Sequence, residues 1–576
     1  MSQRPLASGQ AVTELIQMLV YLIITGVGFG LLMAFVTNGF VIGVGKITQM
    51  REALTWFQFS LGDSVGDSML SLTPLLAMLV AAVLIIIIRR VFSISRWHGP
   101  GDSIYAAHRT DNELDVKAGF GSTLAAFVSA SGGASVGQYG PLVHFGATIG
   151  SFARQITGGR LTTDIFIGCG VASAIAAGFN APVAGVVFAH EAILRHFSVR
   201  TVTPIAIASI TSAGMSKWIF GDSRAFAGVP DINLVEVLPI ALIAGPIFGI
   251  IAALYMMGLR HGIRLVGKTG LTPSQLLFLG AILTGLVGMV LPQILGLGTG
   301  VVLDMLNMEL GLAMLLTILV AKAVMTALCL SMGFFGGIFS PALFIGAAAG
   351  ASIQKLLAGM GIMVSGPVMV VCGMAAVASA VIGAPVSGVL IMLEMTMNYD
   401  YALAAMLSVV TAALVSHHIY SHSFFDKQLL DRGIDISQGR GHLEMMEIPV
   451  RDLVSDDFVT AHQSDSKSDV VERMIANAVS ESYLLDEKRF IGKLTLHELL
   501  QQPDDISLTA AADTAAISIK HDASLMQAIE IASTFVGESI PVIDRDKEEL
   551  LGVVTEGDIF GLYLSTQNRI TDLERS

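Results

Sequence analysis

Cysteine, charge and tryptophan are all scarce in this chain of 576 residues. Its three cysteines, Cys169, Cys329 and Cys372, lie in separate apolar stretches, which excludes a disulfide framework and a cysteine-based metal site and leaves them as small packing residues. Only 14% of the residues are charged, against about 25% in an average soluble domain. The net charge of −13 excludes the basic footprint that nucleic acid requires. After the polar stretch Met1 to Thr13, the apolar run exceeds a signal-peptide core and shows no obvious small-residue cleavage site, so the expectation is a retained first helix or a cytoplasmic lead-in rather than a cleaved leader. What is abundant is apolar residues, 53% of the chain, and glycine, with 60 copies. The mean hydropathy of +0.71 is that of an integral membrane protein. Apolar runs near 14–36, 74–88, 162–190, 202–219, 234–256, 276–296, 311–330, 366–393 and 401–416 approach or exceed the roughly 20 residues that span a bilayer. Segments 140–153 and 341–356 read as too short to span alone.

The apolar part is duplicated. Gly137-Gln138-Tyr139-Gly140-Pro141 returns 200 residues later as Gly337-Ile338-Phe339-Ser340-Pro341, and Gly146 and Gly150 return as Gly346 and Gly350. A second block recurs at an offset of 203, where Cys169, Gly170, Ala181, Pro182, Gly185 and Glu191 become Cys372, Gly373, Ala384, Pro385, Gly388 and Glu394. Paired Gly/Pro interruptions in the two halves of a duplicated membrane domain predict a small-ion site where the halves meet. Glycines let backbone N–H groups approach an ion. Each helix N-terminus adds roughly half a positive charge, enough to offset desolvation without the grip of a full ammonium.

The acidic charge is concentrated in the tail. From residue 441 onward there are 26 Asp and Glu against 11 Lys and Arg, which leaves the rest of the chain near +2. Residues 447–565 repeat a β-α-β-β-α unit, with Gly492-Lys493-Leu494-Thr495-Leu496-His497-Glu498 matching Gly552-Val553-Val554-Thr555-Glu556-Gly557-Asp558 at an offset of 60. This tail resembles a tandem pair of CBS domains. The resemblance implies an adenine-nucleotide site in which Thr555 and Asp558 reach phosphate and ribose; the alternative is that both only cap the following helix. Glu498 makes the first copy a poorer candidate.

Three motifs in order, Gly140-Pro141-Leu142-Val143-His144-Phe145-Gly146, Gly178-Phe179-Asn180-Ala181-Pro182-Val183-Ala184-Gly185 and Gly336-Gly337-Ile338-Phe339-Ser340-Pro341, resemble the CLC family of chloride channels and proton-coupled chloride exchangers. The resemblance covers about residues 20–435 and includes the CBS pair behind them. It implies an α-helical integral membrane protein with an inverted-topology repeat (the CLC fold) plus a cytoplasmic α/β CBS pair. The expected division is 1–435 for the membrane domain, 436–446 as linker, 447–507 for the first CBS unit, and 508–576 for the second with its tail. It further implies a homodimer that moves chloride, needs no cofactor, holds no metal and is not an enzyme. The expected location is the bacterial inner membrane with both termini cytoplasmic, and Arg89, Arg90, Arg96, Arg260 and Arg264 mark inner ends. The N–H groups of Ile338 and Phe339 would hold the central chloride, with Gly137, Gln138, Tyr139 and Gly140 above it.

The chain departs from the family pattern at the residues that would decide mechanism. Tyr139 stands where the family has its gating glutamate; a phenol with an ordinary pKa near 10 is ionised in only about one part in a thousand at pH 7. The inner proton-transfer glutamate aligns with Ser223, or with Asp222 after a one-residue slip. In Gly99-Pro100-Gly101-Asp102-Ser103, Pro100 replaces the serine that would touch the ion, with Gly101 beside it, and Phe425 replaces the central tyrosine. Tyr139 and Phe425 are therefore the expected gates of a passive, uncoupled chloride path. The alternatives are a proton-coupled antiporter with a displaced carrier, for chloride, nitrate or fluoride, and a non-conducting sensor or scaffold. Glu191 and Glu394, symmetric across the repeat, are expected to pair or cap helices rather than carry protons.

Overall fold

A computed structural model describes residues 8–54, 58–60, 69–109, 113–157, 161–221, 229–362 and 364–575. Asp222 and Ser223 lie outside the described residues. The chain divides into two compact units, one of residues 1–107 and 111–433, the other of 434–576 together with 108–110.

Among the described residues, the regular structure of the first unit is helical apart from a short antiparallel pair, β1 (Gln58–Ser60) and β2 (Met69–Ser71). Its first half contains α1 (Ser8–Ala53), α2 (Thr73–Val91), α3 (Pro100–His108), α4 (Val116–Gly132) and α5 (Tyr139–Thr157). It continues with α6 (Thr163–Phe179), α7 (Pro182–Phe188) and α8 (Val199–Phe220). The second half contains α9 (Leu234–Gly267), α10 (Pro273–Val290), α11 (Thr299–Leu306), α12 (Leu312–Ser331) and α13 (Phe339–Gly359). It ends with α14 (Gly366–Ile382), α15 (Pro385–Thr396), α16 (Tyr399–Tyr420) and α17 (Phe424–Leu430). Among the described residues, seven helical stretches are long and apolar enough to cross a bilayer.

Two expectations about these runs need correction. The runs at 162–190 and 366–393 are each broken in two. Asn180, in the left-handed conformation (φ 52°), ends α6, and Gly383 (φ 80°) ends α14; Pro182 and Pro385 then open α7 and α15. The residues between adopt the same backbone, Ala181 at φ −128°, ψ 76° and Ala384 at φ −130°, ψ 74°. Conversely, 341–356 belongs to the 21-residue α13, which is long enough to span. Phe339 and Ser340 before that stretch and Leu357, Ala358 and Gly359 after it extend the helix to this length.

The repeat is visible as packing. An ideal β-carbon on Gly170 would fall 2.0 Å from the Gly146 carbonyl oxygen, and one on Gly373 would fall 2.1 Å from that of Gly346. Backbone therefore meets backbone between α5 and α6, and again between α13 and α14. Cys169 and Cys372 lie beside these contacts, free and buried. The halves also cap each other's helices. The Glu394 carboxylate accepts the Val183 and Ala184 N–H groups at 3.0 and 2.8 Å, at the start of α7. Glu191 accepts Val386 N–H, Ser387 N–H and the Ser387 hydroxyl at 3.0, 2.7 and 2.6 Å, at the start of α15. These carboxylates meet unpaired first-turn N–H groups and the positive end of the helix dipole.

In the second unit α18 (Gly439–Glu447) occupies most of the segment expected to be a linker, and Met445 lies in the unit's core. The first copy that follows is β3 (Thr460–His462), α19 (Lys467–Ala476), β4 (Glu481–Asp486), β5 (Arg489–Thr495) and α20 (Leu496–Gln501). After α21 (Leu508–Ala511), the second is β6 (Ile519–Lys520), α22 (Leu525–Ala532), β7 (Ile540–Ile543), β8 (Leu550–Val554) and α23 (Glu556–Arg575). Each sheet pairs its first two strands parallel and its last two antiparallel, with matching irregularities at Leu484/Leu485 and Val542/Ile543.

Candidate functional site

Three helices begin at one small cavity. Pro100 is the first residue of α3, Tyr139 of α5 and Phe339 of α13, and Phe425 is the second of α17. Together with Gly140 and Ile338, these residues line a space of about 20 Å³, roughly the size of a single water-sized species. Prolines at the start of α3 and in the first turns of α5 and α13 cost nothing there, because first-turn N–H groups have no intrahelical acceptor. The remaining first-turn amides and the three positive helix ends make the cavity attractive to an anion.

Ion pairs at the rim hold α3 and α17 in place. The Asp102 carboxylate accepts Gly99 N–H at 3.0 Å, Arg96 Nη2 at 2.7 Å and Arg432 Nη1 at 2.9 Å, which ties the start of α3 to the chain just beyond α17. Asp426 pairs with Arg195, and the Ser423 hydroxyl caps α17 by accepting Asp426 N–H at 3.2 Å. Inside, the His144 Nδ1 and Ser103 Oγ, 2.8 Å apart and both buried, join α5 to α3 behind the cavity wall.

The loops that carry the two signatures pair across the repeat. Gly137 N–H donates to the Gly337 carbonyl at 2.7 Å and Gly337 N–H to the Gly137 carbonyl at 2.6 Å, an isolated antiparallel bridge. The Gly137 amide is thereby occupied and, like Gly101 and Gln138, Gly137 is not in the cavity wall. Gly101 backs onto Gln428, whose Oε1 lies 2.9 Å from where its β-carbon would be. Gln138 is 5% exposed and its Oε1 has no hydrogen-bond partner.

Tyr139 closes one side. Its hydroxyl donates to the Gly178 carbonyl at 3.1 Å, and its ring stacks on Phe179 with centroids 3.7 Å apart. Phe339 meets both rings edge-on, at 6.2 and 5.4 Å. With its one proton engaged, the phenol has none to offer an ion in the cavity until the ring turns. Residues that sequence reasoning missed complete the wall: Ile104, Val143, Ile175, Phe188 and Ile382, with Ala192 and Ile193 in the π-helical turn Ala189–Leu194 that continues α7. Their signal was position alone, since each is an ordinary apolar residue near a motif.

In the second unit the Thr555 hydroxyl donates to Asp558 Oδ2 at 2.6 Å while Asp558 N–H donates back to Thr555 Oγ1 at 3.1 Å, at the start of α23. The first copy repeats this with Thr495 and Glu498. The pair caps its helix in this arrangement. Among the described residues no cluster of His, Cys, Asp or Glu has the makings of a metal site.

The family model described as voltage gated chloride channel matches residues 77–417, more than half the chain. The chain belongs to the CLC family. CBS domain models match 450–504 and 510–565. Among curated relatives, a putative chloride channel protein ClcB-like of Ralstonia nicotianae is 28% identical over 58% of this chain and 79% of its own. The chloride channel protein CLC-f of Arabidopsis thaliana is 27% identical over 80% of this chain and 59% of its own. The H(+)/Cl(−) exchange transporter ClcA of Vibrio campbellii is 29% identical over 52% of this chain and 66% of its own. The fold is shared with a slow cyanobacterial Cl−/H+ antiporter, at TM-score 0.61 and 21% identity over 72% of this chain and 97% of that one. It is also shared with a eukaryotic CLC transporter, at TM-score 0.61 and 17% identity over 94% and 98%. This CLC protein is thus an integral membrane chloride channel or transporter with a C-terminal α/β CBS region, in a family whose members are not enzymes.

Proposed function

We propose that this CLC protein is a passive, uncoupled chloride path in which Tyr139 is the gate at one side of the anion cavity and Phe425 the gate at the other. The observation that carries the reading is the cavity wall itself. Tyr139, Phe339, Phe425, Pro100 and their apolar neighbours present no carboxylate or imidazole to an ion. The membrane carboxylates that the repeat singles out, Glu191 and Glu394, are engaged at helix starts, each accepting two backbone N–H groups. Chloride would sit against the amides at the starts of α5 and α13, with Ile338 and Phe339 supplying the inner contacts. Gly137, Gln138 and Gly101 would act from behind, fixing the loop and helix starts. The membrane domain of 1–435 works in this reading as a homodimer in the bacterial inner membrane, with the CBS pair and both termini cytoplasmic. That pair would regulate the path or bind adenine nucleotide at Thr555 and Asp558, which requires the Thr555–Asp558 hydrogen bond to open.

The test is simultaneous recording of chloride efflux and external pH from chloride-loaded vesicles containing the purified protein. Efflux without uphill proton movement is the expected outcome. Coupled proton uptake would replace this reading with exchange through a displaced carrier. A second reading concerns the anion: with Pro100 and Phe425 contributing no hydroxyl, discrimination rests on backbone amides, so nitrate and fluoride belong in the same assay.

A further inference from the structure

A second cavity, remote from the anion site in its chemistry, runs as a groove of about 530 Å³ between α1, α2 and α4. Its walls include Val80, Leu84, Phe127 and Val128, and Val80 and Leu84 are exposed apolar residues of α2, a helix long and apolar enough to cross a bilayer. One end is polar. Arg51, only 8% exposed, lies there with Ser131, and the Ser131 hydroxyl is buried with no hydrogen-bond partner. Thr73 also reaches this end, but its hydroxyl is engaged by the Leu54 carbonyl at 3.1 Å.

A guanidinium carries five N–H donors. Against these, the described residues offer Arg51 two distant acceptors, the Ser131 carbonyl at 3.5 Å and the Glu52 carboxylate at 3.6 Å, and Glu52 is itself 67% exposed. A buried charge with so little compensation in apolar surroundings is costly unless a counter-charge is supplied. The planar fork is shaped to take a carboxylate through two parallel hydrogen bonds. The site therefore pairs one cation and one free hydroxyl with one apolar channel open to the bilayer, which matches one negative headgroup on one alkyl chain.

We propose that this groove binds a long-chain fatty acid, with its carboxylate on Arg51 and the Ser131 hydroxyl and its chain along α2 and α4. The site abuts the segment leading to the anion cavity. Arg51 Nη1 packs so closely on Gly133 that a β-carbon there would fall 2.5 Å away, and Gly133, at φ 108°, stands four residues before Gly137.

The test uses the full-length protein in neutral detergent, loaded with palmitate and analysed by mass spectrometry under non-denaturing conditions. Hexadecanol serves as a control without charge and phosphatidylglycerol as a two-chain competitor. The expected result is one saturably retained palmitate per chain. Retention should fall about tenfold in Arg51→Gln, the loss of a charge-assisted contact, and comparably in Val80→Trp, which fills the channel from an exposed wall. Hexadecanol should be retained far more weakly than palmitate. Equal retention by wild type and Val80→Trp, or equal retention of hexadecanol and palmitate, would overturn the proposal. So would preferential retention of phosphatidylglycerol. If Arg51→Gln does not fold, Val80→Trp and hexadecanol decide the matter alone.

Discussion

The two halves of the membrane unit share a backbone and differ in what they hang on it. At Ala181 and Ala384 the φ and ψ values agree within a few degrees, the Gly146–Gly170 and Gly346–Gly373 contacts are equally close, and Gly137 and Gly337 exchange identical hydrogen bonds. Yet position 139 holds a tyrosine anchored to Gly178, whereas position 339 holds a phenylalanine turned edge-on. Duplication has preserved what positions amides and helix ends, where symmetry concentrates positive potential at one point. It has not preserved the side chains, which decide what passes that point.

The comparison can be broken most severely at the glycine contacts. Gly170→Val and Gly373→Val should each cost about 4 kcal/mol or more, because the opposing atom is a backbone carbonyl that cannot move aside. Size-exclusion profiles and thermal unfolding in detergent should show loss of folded protein for both. A tolerated substitution in one half alone would mean that the halves are not packed equivalently. The reciprocal caps should give a smaller and unequal effect. Glu191→Ala, which gives up three donors, should destabilise by about 2 kcal/mol and Glu394→Ala, which gives up two, by about 1 kcal/mol in the same unfolding assay.

At the site, Tyr139→Phe keeps the stack on Phe179 and removes only the hydrogen bond to Gly178. Chloride efflux should rise about fivefold, the factor worth about 1 kcal/mol, while Phe339→Tyr should not reproduce the effect in reverse. The smallest effect lies in the CBS unit. The Arg489 guanidinium in the first copy holds the Glu548 carboxyl of the second below its usual range, and Arg545 does the same for Asp522. A depressed folded value means that the stabilisation is complete above the unfolded pKa of about 4 and is lost as pH falls below it. Urea unfolding should therefore show a slight weakening below about pH 4, diminished in Arg489→Gln.

Much of this was legible in residues. The 200-residue offset located both signature loops, and the symmetry at the 203-residue offset pointed to Glu191 and Glu394 as pairing or capping helices, of which the structure shows capping. Pro100, Tyr139, Gly140, Ile338, Phe339 and Phe425, distant in sequence, do meet at one cavity. Helix interruptions were harder to see, because Asn180 and Gly383 act through a single backbone torsion inside uninterrupted apolar runs. Helix α18 looked like a linker because it is charged and short; Met445 earns its place only by contact with the second CBS core.

By itself the sequence determined the class of molecule, the duplication and the identity of the gate candidates, because composition and internal offsets are properties of the chain alone. Only tertiary structure decided that the Gly137 amide is occupied by Gly337, that the Tyr139 hydroxyl turns to Gly178, and that Arg51 and Ser131 share an apolar groove. Each of these depends on hydrogen-bond partners or neighbours 39 to 200 residues apart, and which of several eligible donors and acceptors meet is settled by how helices pack.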